Sequence, residues 1–186
     1  TWNGTWKAKK NSDIELPDAT SLTYLKPGYT DLEFSFPDIH GNTVSLSDKR
    51  FESKAKIVQI IGSWCPNCMD ETRFFSELYD KYHDQGLEII ALCYESDNQE
   101  KSRQAINRFQ QGTGAKYTFL YAGVSNKRLA SQSLPMLNRI ISYPTSIFID
   151  RQGNIRKIFT GFSGPGTGEH YSKLSSEMTS LIEDMI

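Results

Sequence analysis

Along the chain the hydrophobic positions change period several times, and each change marks an element. Leu32-Glu33-Phe34-Ser35-Phe36 alternates apolar and polar side chains, and Asp38-Ile39-His40-Gly41-Asn42 turns it back into Thr43-Val44-Ser45-Leu46, which predicts a hairpin. Ile57-Val58-Gln59-Ile60-Ile61 is a short β-branched run bounded by Gly62, the pattern of a strand buried on both faces. From Asn67 to Gln85 the period lengthens. Phe74, Leu78 and Tyr82 recur at i, i+4 and i+8 with Phe75 and Tyr79 beside them, a helix face with Asp70 and Glu71 in the first turn and Gly86 as its stop. A second buried strand is predicted over Leu87 to Tyr94, a polar helix over Asn98 to Gln111, and a third strand over Tyr117 to Ala122. Asn126 to Asn138 is irregularly helical around Pro135. Ser146 to Ile149 and Ile155 to Phe159 flank the turn Asp150-Arg151-Gln152-Gly153-Asn154, and Gly161 to Gly168 leads into a terminal helix with Tyr171, Leu174, Met178, Leu181 and Ile182 on one face. Strands alternating with helices, closed by a hairpin and a helix, predict an α/β fold with a mixed sheet covered on both sides.

Residues 1–28 stand outside this pattern. They are polar, carry Lys7, Lys9, Lys10 and Lys26, and close on the turn signal Leu25-Lys26-Pro27-Gly28. They are read as an N-terminal appendage, with Trp2, Trp6 and Ile14 suggesting strand material from the end of an upstream domain; residues 29–186 form the main domain. The absence of an initiator Met and of a basic, apolar leader implies that any targeting segment was removed or never existed.

Composition narrows the function classes. A chain of 186 residues with 21 Lys+Arg against 22 Asp+Glu has a net charge of −1, which favours neither nucleic acid nor an anionic membrane as partner. Recognition is expected to rest on exposed backbone and apolar surface. The longest nearly apolar stretch, Leu87 to Tyr94, is far shorter than the roughly 20 residues of a membrane span. Three cysteines are too few for a disulfide framework, and two of them are packed as Cys65-Pro66-Asn67-Cys68.

That pair sits where a buried strand hands over to an amphipathic helix. At i, i+3 on a first helical turn, two Cα atoms lie within the roughly 4.4–6.8 Å that a disulfide tolerates, so the bond can open and close without refolding. Pro66 suits the first helical position, where its missing N–H would have no partner. Cys65 then faces unpaired backbone N–H groups and the positive end of the helix, which favours its thiolate as the attacking group; Cys68, one turn inward, resolves the mixed disulfide. A structural disulfide is the weaker reading, because a four-residue loop gains little from closure. Zinc would need a second ligand pair, which Cys93, His40, His83 and His170 do not supply by spacing, so no metal site is expected. Met69 in place of His after Cys68 excludes c-type haem attachment. Cys93 is read as a core residue.

With these residues in view, the chain resembles the thioredoxin fold, and within it the TlpA/ResA-like extracytoplasmic thiol:disulfide oxidoreductases. The resemblance runs from Tyr29 to Ile186 through Phe34 to Asp48, Gly62-Ser63-Trp64-Cys65-Pro66-Asn67-Cys68, and Tyr143-Pro144-Thr145-Ser146-Ile147-Phe148-Ile149-Asp150. It implies a three-layer α/β/α sandwich with a mixed central sheet, an N-terminal hairpin and an inserted helix at Asn98 to Gln111. It makes Pro144 the match of the family's cis-proline opposite the cysteine pair, exposing the backbone of Tyr143 to an extended substrate by strand addition. Pro66 and Trp64 would also meet substrate; Trp64 reads equally as core packing or as a rim beside the sulfur. Glu95 matches a strand-end glutamate that moves protons near the sulfurs, and it would replace the buried acid that thioredoxin has where this chain has Gln59.

The activity so implied is thiol:disulfide oxidoreduction through a Cys65/Cys68 dithiol–disulfide cycle, with no cofactor beyond that disulfide. Reduction of protein disulfides is the expected direction. The Pro-Asn spacer places no cation beside the thiolate, which argues for a potential nearer about −270 mV than about −120 mV. The resemblance further implies a bacterial periplasm or similar compartment, disulfide-containing client proteins, a membrane thiol donor of electrons, and cytochrome c maturation or thiol homeostasis as the use. Two alternatives stand. One is a peroxiredoxin-like peroxidase, against which Gly62 stands where a Thr or Ser would orient peroxide. The other is a redox-inert binding module with a structural disulfide.

Overall fold

The computed structural model describes Lys7, Lys9 and residues 18–186; Trp2, Trp6 and Ile14, the expected strand material, lie outside the described residues, as does Lys10. The elements are β1 (Ser35–Pro37), β2 (Thr43–Ser45), β3 (Ala55–Ile61), α1 (Pro66–Tyr82), β4 (Leu87–Glu95), α2 (Gln99–Thr113), β5 (Thr118–Val124), α3 (Lys127–Ser133), β6 (Thr145–Ile149), β7 (Ile155–Thr160) and α4 (Glu169–Met185). β1 and β2 form the expected hairpin, Phe36 opposite Val44. The other strands form one sheet in the order β5-β4-β3-β6-β7. β3, β4 and β5 run parallel, β6 is antiparallel to β3, and β7 is antiparallel to β6.

Every residue of β3 and β4 is buried, which is why their sequences read as continuous apolar runs rather than alternating ones. The two faces are covered by different elements. Gln59 meets Glu71 and Thr72 of α1, Phe148, in register with Ile57, meets Phe75 of α1, and Phe119 meets Phe109 of α2. Phe74 of α1 packs on Tyr171 of α4, so the terminal helix joins this layer. On the other face Tyr94 reaches α3 through its hydroxyl, 2.7 Å from Ser133 Oγ. The expected three-layer sandwich with a mixed sheet is therefore what the chain forms.

Local signals set most of the ends. Gly86 (φ 99°) closes the turn after α1 and Gly114 (φ 72°) closes α2, both left-handed positions that glycine adopts without a Cβ penalty. Asn98 caps α2, its side chain accepting from the Lys101 amide. One expectation changes: α1 begins at Pro66 with Cys65 as its N-cap, so Asp70 and Glu71 fall in the second turn and no acid occupies the first. The described end of the lead is bonded to the domain. Lys26 N donates to Met136 O (2.8 Å), Tyr24 N to Asn138 Oδ1 (3.0 Å), and the buried Thr23 accepts from Thr160 Oγ1 (3.1 Å).

Candidate active site

β3 ends at Ile61, and the chain turns through Gly62-Ser63-Trp64 into α1, with Cys65 N donating to Gly62 O (3.0 Å). Pro66 occupies the first helical position as expected, and Cys65, in extended backbone (φ −97°, ψ 117°), makes no cap bond with its side chain. Its thiol is thereby free to look outward from the helix, and Cys65 Sγ donates to the Tyr143 carbonyl at 3.5 Å. The Tyr143-Pro144 peptide is cis. Residues 78 positions apart in sequence thus meet at one sulfur. Pro144 O is taken by Gly161 N (2.8 Å), tying the loop to the end of β7. Both sulfurs of the pair are thiols here, with Cys68 fully enclosed and Cys65 retaining slight exposure.

Trp64 resolves its double reading toward the rim. It is 55% exposed, yet fixed: Nε1 donates to Tyr94 O (3.0 Å) and the ring stands edge-on to Tyr143 with centroids 5.5 Å apart. The indole lies across Gly62, where any Cβ would collide with it, and this explains the glycine better than a turn would, since its φ is not in the left-handed region. Tyr143 is buried, and its hydroxyl finds no acceptor or donor among the described residues.

Glu95, at the end of β4, holds the active-site turn. Its Oε1 accepts from Ser63 N (2.6 Å) and its Oε2 from Ser63 Oγ (2.9 Å). Burial raises its carboxyl above the ordinary range, and the two Ser63 bonds oppose that rise. The carboxyl that bears on Cys68 is a different one. Glu71, one turn past Cys68 on α1, is completely buried beneath the pair. Gln59 Nε2 donates to its Oε2 (2.7 Å) and Ser146 Oγ to its Oε1 (2.9 Å), while Tyr117 Oη donates to Gln59 Oε1 (3.1 Å). Burial pushes the Glu71 carboxyl up to about 7, against the opposing bonds from Gln59 and Ser146. Burial first, then the Cys65 sulfur and the Glu71 charge, hold the Cys68 thiol protonated.

Glu71 is the residue that sequence reasoning passed over. Gln59 occupies the strand position where thioredoxin has an acid, but a buried acid reaches the same place from the helix, three residues beyond Cys68. The signal was present: a single carboxylate on the stripe Cys68, Phe75, Leu78, Tyr82 that faces the sheet. Assigning it to the helix dipole concealed it. Cys93 is enclosed in β4, where burial pushes its thiol up, as expected of a core residue. Among the described residues no cluster of three or more metal-ligating side chains forms, and no helix is long and apolar enough to cross a membrane.

This arrangement has relatives. The chain is 28% identical over 142 residues to the thiol-disulfide oxidoreductase ResA of Geobacillus kaustophilus, covering 76% of this chain and 74% of that protein. It is 27% identical over 146 residues to ResA of Bacillus cereus, covering 78% and 75%. In fold it is similar to a thiol:disulfide interchange protein of the thioredoxin family from Chlorobium tepidum, with a TM-score of 0.63 at 16% identity over 84% of this chain and 94% of that one. A DsbF homologue from Corynebacterium diphtheriae matches with a TM-score of 0.62 at 15% identity, over 97% and 99%. A family model described as Redoxin matches residues 15–174, so the chain belongs to the Redoxin family, within which it is a thiol:disulfide oxidoreductase of the thioredoxin fold.

Proposed function

We propose that the protein reduces disulfides of client proteins in an extracytoplasmic compartment, with Cys65 as nucleophile, Cys68 as resolving thiol and Glu71 as the acceptor of the Cys68 proton. The observation that carries this reading is the contact between Cys65 Sγ and the carbonyl preceding cis-Pro144. While Cys65 is a thiol it occupies that carbonyl. Once the sulfur is deprotonated it no longer donates, and Tyr143 O is free to accept an N–H from an extended client segment, the first bond of strand addition.

The Cys65 thiolate attacks one sulfur of the client disulfide; an S–S bond forms to Cys65, the client bond breaks, and the departing client sulfur takes a proton from solvent. The Cys68 thiol then loses its proton to the Glu71 carboxylate and attacks Cys65 Sγ. This breaks the mixed disulfide; the second client sulfur departs as a thiolate that takes a proton from solvent, so the client leaves as a dithiol and Cys65–Cys68 is oxidised, two electrons having passed to the client. A carboxyl that titrates near 7 suits this transfer, because it is ionised often enough to accept and basic enough to do so usefully. Glu95 acts one step back, by fixing the Ser63 amide and hydroxyl and so the turn that presents Cys65. Return to the dithiol needs an external thiol donor, which in an oxidising compartment is a membrane-borne one.

The test is a trap. A Cys68→Ala variant is expected to hold clients on Cys65 as mixed disulfides identifiable by mass spectrometry, while the parent reduces insulin disulfides. An empty trap in a native extract, or a measured potential above that of glutathione, counts against reduction as the task. Peroxidase chemistry finds no support, since Gly62 offers no hydroxyl and that of Ser63 is engaged by Glu95.

A further inference from the structure

The net charge of −1 conceals a segregation. Residues 101–149 contain seven Lys and Arg and no Asp or Glu, so this stretch carries +7 and the rest of the chain −8. The stretch runs from α2 through β5, the edge strand of the sheet, and α3 to the end of β6, ending just past the cis-Pro144 loop. Of its seven cations only Lys116 meets a carboxylate among the described residues, at Asp80 (2.9 Å).

Two of the others line a cleft beside the cysteine pair. Its volume is about 500 Å³, and its walls include Trp64, Ser63 and Glu95 on the active-site side and Lys101, Ala105 and Arg108 of α2 on the other. The spacing i, i+4, i+7 places those three on one helical face, so two exposed cations flank a small side chain. Glu95 is the one carboxylate in the wall. It is buried, and both of its oxygens are taken by Ser63, so it presents little charge to the opening. Trp64 is at once the sequence neighbour of Cys65 and a wall of the cleft, with its ring pinned by Tyr94 O and Tyr143. A rigid aromatic at the centre with cations beyond it is the layout of an anchored, charge-selective contact.

We infer that this cleft is a client subsite that selects disulfides flanked by acidic residues, the carboxylates lying against Lys101 and Arg108 while the client backbone crosses Trp64. The inference rests on the reductase reading above. An extended client advances about 3.3 Å per residue, so varying the positions two to four from the attacked cysteine samples about 7–13 Å along it. Rim contacts of this kind act mainly on encounter and orientation and weaken with salt.

The test uses two peptides, each closed by one disulfide and identical except for paired Asp or paired Asn residues two to four positions from each cysteine. Reduced protein is mixed with each peptide in single turnover, and every rate is divided by that protein's own rate on hydroxyethyl disulfide. The Asp peptide is expected to react about five- to tenfold faster than the Asn peptide at low salt, the ratio falling toward one as salt shortens the Debye length to about 3 Å near 1 M. In a Lys101→Glu/Arg108→Glu double variant, whose changes lie on the surface, the ratio is expected to invert. A ratio near one in the parent at low salt, or one that survives the charge reversal, overturns the proposal. So does a ratio near one together with salt-sensitive self-association, which would assign the cleft to the acidic remainder of a second copy. Failure to reduce even hydroxyethyl disulfide would overturn the reductase reading itself, and the subsite with it.

Discussion

Replacing Glu71 by Gln separates burial of a charge from loss of contacts, because the amide can keep both hydrogen bonds. Its Oε1 can accept from Gln59 Nε2, as Glu71 does now, and its Nε2 can donate to Ser146 Oγ, which is able to accept. What the variant loses is the titration. In the unfolded chain the carboxyl ionises near the ordinary 4.5, and in the folded protein burial holds it protonated up to about 7. Below 4.5 both states carry the proton and the site costs nothing. Between 4.5 and 7 the folded state binds more protons than the unfolded, so stability falls as pH rises. Above 7 the full penalty is present, about 3 kcal/mol from that rise at 1.36 kcal/mol per pKa unit. Urea unfolding of the reduced protein from pH 5 to pH 8 measures it. The stability of Glu71→Gln relative to the parent should grow by about 2.5 kcal/mol across that range, the first part of the penalty being already present at pH 5. In single turnover the variant should resolve mixed disulfides about 100-fold more slowly at pH 8, and its rate should lack the parent's rise through pH 7. A stability difference that stays flat with pH would refute the assignment of a buried carboxyl titrating near neutrality, whatever its effect on rate.

Three further perturbations address neighbouring parts of the structure. Gly62→Ala places a methyl where the Trp64 indole lies, so the ring must leave Tyr94 O; tryptophan fluorescence should shift to the red and client reduction should slow, while an unshifted spectrum would show that the ring is not pinned there. Asn98→Ala removes the cap that accepts from Lys101 N (3.0 Å) and should cost about 1 kcal/mol in a urea melt, with raised amide exchange confined to the first turn of α2. Phe75→Ala empties a fully buried site packed on Phe148 at 6.2 Å between centroids, and should cost about 3–5 kcal/mol; a loss below about 1 kcal/mol would show that α1 is not held to the sheet at this point.

How much of this was legible in the sequence depended on whether the signal was local. The β-branched run of β3, the alternation before the hairpin turn, the Phe74/Leu78/Tyr82 periodicity of α1 and the glycines that close α1 and α2 are short-range features, and each produced the expected element. The cysteine pair was legible for the same reason: a spacing of three across a strand-to-helix junction sets its geometry within one turn. Pro144 was found through family resemblance, because nothing within a few residues of a proline reveals which sulfur it faces. Helix ends misled where the start of α1 decided a role. With Pro66 at the first helical position Glu71 already lies in the second turn, beyond the dipole's reach, and its side chain is buried against Gln59 of the sheet.

The sequence by itself determined the order of strands and helices, the redox pair at their junction and the α/β class, since backbone periodicity and turn chemistry are written in neighbouring residues. Tertiary structure alone decided which distant groups share a site. It set the Tyr143 carbonyl against Cys65, brought Gln59 and Ser146 against the Glu71 carboxyl with Tyr117 behind Gln59, and placed Lys101 and Arg108 in one cleft wall with Trp64. The physical reason is that burial and electrostatics depend on what surrounds an atom in space. A glutamate in an amphipathic helix has an ordinary carboxyl until a sheet excludes water from it, and an acid-free stretch of sequence does not say which of its cations face a site until folding sets Lys101 and Arg108 in one cleft wall with Trp64.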